Sequence, residues 1–161
     1  MKLTLIWQPV LEKLPLSKYN PAAAGDDHFM VCVNPEKSFM DERTAILREF
    51  SERFAAYEQA SKSIFLNDQQ SPELTEEQQA EFLLKRRAET QGIVKDFLAW
   101  SENDFSHQVN HWYARLLSFG DDKYTAEELA EFGRVDVHFI NWLYSECMQM
   151  IDAHRSARKK K

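Results

Sequence analysis

The sequence predicts a mainly α fold of the α+β class: a helical bundle of about five helices with a small two-stranded β element at its N-terminus. Three observations lead there. Strict apolar alternation is confined to two short stretches before residue 34. From residue 38 onward apolar residues recur at helical spacing, three and four apart. The helical part also carries two capping-box sequences, and the whole chain has only four Gly and five Pro to interrupt it.

Taken in order, "KLTLIW" alternates Leu3, Leu5 and Trp7, and "HFMVCV" alternates Phe29, Val31 and Val33. Both read as short strands, separated by a Pro/Ala/Gly/Asp loop from Pro15 to Asp27. "NPEK" at 34–37 turns the chain into a first long helix, expected from Ser38 to Leu66. Its stripe is Phe39, Ile46, Phe50, Tyr57 and Ile64, with Leu47, Phe54 and Phe65 alongside. "NDQQSPE" breaks it, and "TEEQ" at 75–78 forms a capping box that opens a second helix ending at Trp100. "SEND" at 101–104 marks a third start, running to Phe119 and stopping at Gly120. "TAEE" at 125–128 opens a short helix to Phe132–Gly133, and a last helix follows from Val135 to His154. The expected organisation is one globular domain over residues 1–154, β-containing over 1–37 and helical over 38–154, with a basic tail over 155–161.

At 161 residues the chain is long enough to bury a core without metal or disulfides. No apolar run approaches a transmembrane span, and Gln8, Pro9 and Glu12 interrupt the only apolar N-terminal run, so no signal peptide is expected. Cys32 and Cys147 lie far apart with no metal or redox spacing and are read as free thiols of a reducing, cytoplasmic compartment. The net charge is −6, yet "RSARKKK" supplies five cations at the C-terminus. Without them, 15 Lys and Arg stand against 26 Asp and Glu, a net of −11. An anionic body with a basic tip lacks the spread of cations that a nucleic-acid face requires.

Residue types suited to chemistry are sparse. Asp104, His107 and His111 fall at i, i+3 and i+7 and share a helix face, the spacing of a divalent metal site. The same helix turns Phe105, Val109, Trp112 and Leu116 the opposite way, which leaves the three on the solvent side as an ordinary wet face. No metal is therefore assigned. No GxSxG, GxGxxG or P-loop occurs, and neither cysteine lies in a nucleophile motif. Carboxylate pairs in "DERT", "TEEQ" and "AEEL" sit at helix starts, where they favour the macrodipole. The expectation is a protein that is not an enzyme and carries no cofactor.

Surfaces say more. The second helix has two apolar sides, Leu83, Leu84, Val94 and Leu98 on one and Phe82, Ile93, Phe97 and Trp100 on the other. The last helix has a core stripe of Val137, Ile140, Tyr144, Cys147 and Ile151, and a second stripe of Phe139, Trp142 and Met150 that Glu146 interrupts. Either both helices are sandwiched centrally, or one stripe of each is free for a partner. On the second reading Phe82, Trp100, Phe139, Trp142 and Met150 are the candidate partner contacts.

The stretch "VNHWYARLLSFGDDKYTAEELAEFGRVDVHFINWLYSECMQMI", Val109 to Ile151, resembles the C-terminal half of a tail assembly chaperone of long-tailed bacteriophages and prophages. The shared pattern is Val109 and Trp112 on one helix, a Gly120–Asp122 turn, a helix start at Tyr124, Thr125 and Leu129, and a final amphipathic helix over 137–151. The chain departs from it in carrying Val135-Asp136 where a Pro commonly precedes the last helix. The resemblance implies a protein that coats the apolar helical tape measure protein until tail tube subunits polymerise and displace it. It implies partners in the tape measure protein and the tail tube subunit, no nucleic acid, no membrane, and a possible homo-oligomer. Two other functions compete: a virion structural or connector subunit, and a metal-dependent enzyme using Asp104, His107 and His111. Such chaperones are often made in two lengths by ribosomal frameshift near the end of the first reading frame. The codons for Ala157 to the stop should then hold a slippery A-rich heptamer, with an overlapping frame downstream. Varied lysine codons and no such frame would return "RKKK" to a basic helix end.

Overall fold

In the computed structural model the described residues are 7–65 and 75–160. They form two strands, five α-helices, one 3-10 turn and one π-helical turn. Mainly α with a small antiparallel β element is the class the chain adopts.

The first expected strand, residues 2–7, lies outside the described residues apart from Trp7. The strand observed is β1, Leu11–Pro15, which the alternation reading did not assign. It pairs antiparallel with β2, His28–Cys32, in the register Leu11↔Cys32 to Pro15↔His28. Leu14 and Phe29, opposite each other, are both buried, as are Val31 and Cys32. Asn34 fastens the incoming chain to this ribbon. Its Oδ1 accepts from the Val10 amide, its Nδ2 donates to the Gln8 carbonyl, and its own carbonyl accepts the Trp7 indole N–H at 2.8 Å. A side chain placed just past β2 thus extends the pairing beyond the ladder.

Helix α1 spans Lys37–Phe65 and α2 spans Glu76–Trp100. The Thr75 capping box forms as expected, with Thr75 Oγ1 accepting from the Gln78 amide and Gln78 Oε1 accepting from the Thr75 amide. "SEND" does not start a separate helix. Ser101–Phe105 is a π-helical turn through which α2 runs into α3, Ser106–Leu117. Ser101 Oγ donates to the Leu98 carbonyl and Asn103 Nδ2 to the Ala99 carbonyl. The cap-forming side chains here satisfy the preceding turn's carbonyls, so the helix widens by a residue instead of ending. Helix α4 is Ala126–Val135, opened by the expected Thr125 box, and α5 is Val137–Lys159, reaching into the basic tail. Arg158 and Lys159 then lie in its last turn, where cations favour the negative end of the helix dipole.

The chain divides into two compact units, residues 1–44 with 106–161, and residues 45–105. The first holds a dense core. Trp112, Leu116 and Leu117 of α3, Leu129 of α4, and Leu143, Cys147 and Ile151 of α5 are almost wholly buried with Leu14, Val31 and Val33. Leu143 joins the expected Tyr144, which is half-buried, on the inward side of α5, while Val137 is exposed. Gly120 follows α3 where a Cβ would come within 2.9 Å of Met30 Cβ, so the turn requires a glycine for close approach. In the second unit α1 and α2 run antiparallel, Phe50 meeting Trp100 and Tyr57 meeting Phe97.

One polar link ties the loop after β1 to the start of α5. Asp136 caps α5, its Oδ1 accepting from the His138 and Phe139 amides, and its Oδ2 accepts from the Tyr19 hydroxyl at 2.7 Å. The Tyr19 bond first, then the Phe139 amide, hold the Asp136 carboxyl below its ordinary value of 3.8. A carboxyl depressed in the folded state contributes stability that is complete above its unfolded pKa and is lost as pH falls through the folded one. Lowering the pH from about 5 to below 3 should therefore lower the melting temperature, and Asp136→Asn should flatten that dependence. An unaltered slope in the variant would refute the link.

Candidate functional site

The five residues read as partner contacts fall in three settings. Phe82, on the side of α2 that also carries Phe97 and Trp100, is 53% exposed. Trp100 is half-buried in an aromatic cluster of the 45–105 unit, with Phe50, Phe97 and Phe105 at ring distances of 6.4, 6.1 and 5.6 Å. The Arg53 guanidinium lies 4.3 Å over its ring, a cation–π contact that holds the indole edge against α1. Phe139 and Trp142 are half-buried beneath the loop after β1. Tyr19 reaches both, at 5.2 and 5.1 Å, and Phe29 and Phe132 flank Phe139. An ion pair from Lys18 to Glu146 lies on the same side. Met150 is half-buried on α5.

The second stripe of α5 is thus covered largely by the chain's own N-terminal loop. Helix α2 is covered far less. Along its 25 residues the one buried residue is Thr90. Leu84 is 70% exposed and Ile93 47%, and Leu83 and Leu98 are exposed too. Leu47 and Phe54 of α1, expected alongside its apolar stripe, are also exposed in part, at 37% and 42%. Two helices side by side cover only one strip of each other. A helix that is apolar over more than half its circumference therefore keeps apolar surface in water.

No comparable set of reactive groups exists among the described residues. His107 and His111 lie exposed on α3 with parallel rings 6.3 Å apart, and Asp104 lies in the π-helical turn. No group of three His, Cys, Asp or Glu is disposed to hold a metal ion among the described residues. Burial pushes the Cys147 thiol up to about 12, aided by Glu146, and burial also raises Cys32. Both stay protonated at neutral pH, which removes the thiolate that nucleophilic chemistry needs. Tyr144 stacks on Tyr113 at 3.8 Å and donates its hydroxyl to Asn110; its pKa is raised by burial. That group is a packed polar contact in the core, one the sequence gave no sign of because its partners come from two distant helices.

No protein-family model, curated protein or solved structure matches the chain. No described helix is long and apolar enough to cross a membrane.

Phe97 is the centre of the α1–α2 contact, touching Phe50, Phe54, Tyr57 and Trp100. Phe97→Ala should cost about 2 kcal/mol of local stability, less than a fully buried ring would. The measurement is amide hydrogen exchange, with faster exchange along α2 and unchanged protection in α4 and α5. Equal loss in every helix would contradict a local role.

Proposed function

We propose that this protein is a tail assembly chaperone that binds apolar helical segments of a phage tape measure protein and keeps them in solution until tail tube subunits replace it. It works in the bacterial cytoplasm, without a cofactor and without catalysis. The observation that carries this reading is the apolar surface of α2, where Phe82 and Ile93 are both exposed. They lie eleven residues, three helical turns, apart and so project from one side of the helix. Large apolar side chains at whole-turn spacing suit an amphipathic partner helix laid alongside. The anionic net charge keeps such a complex dispersed. A chaperone displaced by polymerisation needs contacts that are broad and individually weak, which half-exposed anchors supply better than deep pockets.

Co-expression with a tape measure fragment that is insoluble alone tests this. The wild-type chain should bring the fragment into the soluble fraction. Phe82→Asp combined with Ile93→Asp should abolish that rescue while leaving the helical circular dichroism unchanged, since both positions face water. A fragment that stays insoluble with the wild-type chain removes the main support for the reading.

A further inference from the structure

We infer that a different face of α2 pairs antiparallel with the same face of a second copy of this chain, about a two-fold axis at Ala88. The inference does not rest on the chaperone reading. Glu81, Leu84, Ala88, Gln91, Lys95 and Leu98 follow one another at steps of three, four, three, four and three. That is the spacing of a helix–helix seam. All six are exposed, and Ala88 lies half a turn round the helix from Phe97, which faces α1. The seam therefore points away from the aromatic contact.

Charge selects both the occupant and its direction. Glu81 and Lys95 stand seven residues before and after Ala88. In an antiparallel pair centred on Ala88, residues equidistant from it on opposite sides face each other. Glu81 of each copy then meets Lys95 of the other, twice over by symmetry. A parallel pair would set Glu81 on Glu81 and Lys95 on Lys95. Among the described residues neither group is in an ion pair within the chain, so both are available. The steric pattern agrees. Leu84, the most exposed large apolar residue of α2, comes opposite Gly92, where a Cβ would meet nothing within 4 Å. Ala88 at the axis is small enough for close approach of the two backbones. A protruding leucine thus faces a gap on the partner, and a Glu81–Lys95 pair stands on either side of the axis.

The full chain tests this by sedimentation equilibrium. Wild type should be a dimer at about 0.1 mM, the range in which a modest interface is populated. Glu81→Lys or Lys95→Glu alone sets like charges opposite each other and should raise the dimer Kd about tenfold or more. The exchanged pair, Glu81→Lys with Lys95→Glu, should return Kd to within about threefold of wild type. Ala88→Cys should form an intermolecular disulfide under mild oxidation, since the native thiols are buried. A strict monomer overturns the inference. So does a dimer indifferent to the single reversals, or one not recovered by the exchange. A chain that dimerises as stated but fails to solubilise a tape measure fragment would refute the function and leave this interface standing.

Discussion

The burial of Trp112 is the constraint around which the larger unit is arranged. An indole N–H taken out of water must be given an acceptor, and here it donates to the Phe39 carbonyl at 2.8 Å. That bond fixes the first turns of α1 against the middle of α3. The Phe39 ring lies 4.6 Å from the indole, and Arg115 reaches across to Glu42 while its guanidinium covers Phe39. Tyr113, next in sequence, points a different way and stacks on Tyr144 of α5. Two adjacent aromatic residues thus hold α3 between α1 on one side and α5 on the other. The β ribbon and α4 fill the remaining sides with Leu14, Val31 and Leu129.

The 45–105 unit is built differently. Its two helices meet through a ladder of rings, Phe50, Phe54, Tyr57, Phe97, Trp100 and Phe105, none of them wholly buried. A pair of helices covers one strip of each and leaves the remainder to water. The apolar residues left outside are therefore a consequence of architecture. Catalysis asks for a concave, dry site with titratable groups tuned by their surroundings. The shifted groups here are buried thiols, tyrosines and one capping aspartate, each accounted for by packing or capping.

Local chemistry made much of the fold legible. Thr75 and Thr125 each cap a helix because hydroxyl and carboxamide or carboxylate stand three residues apart, a relation complete within four residues. The alternation of Phe29 and Val31 marked β2, and the three-and-four spacing of Trp112 and Leu116 marked the inner side of α3. The exposure of His107 and His111 followed from the same periodicity. Where neighbours compete, the reading failed. Ser101 and Asn103 have the residue types of a helix start, but their side chains serve carbonyls one turn back, so the helix passes through a π turn.

What the sequence determined by itself was helix identity, the two capped starts, the second strand and the doubly apolar character of α2 and α5. All of these depend on residues a few positions apart. What only the tertiary structure decided was which apolar sides are covered. Tyr19, more than a hundred residues from Phe139 and Trp142, closes over the second stripe of α5 and anchors itself on Asp136. Phe82, Leu84 and Ile93 of α2 remain exposed. The physical reason is that periodicity fixes the direction in which a side chain leaves its helix, while burial depends on what another part of the chain brings to meet it.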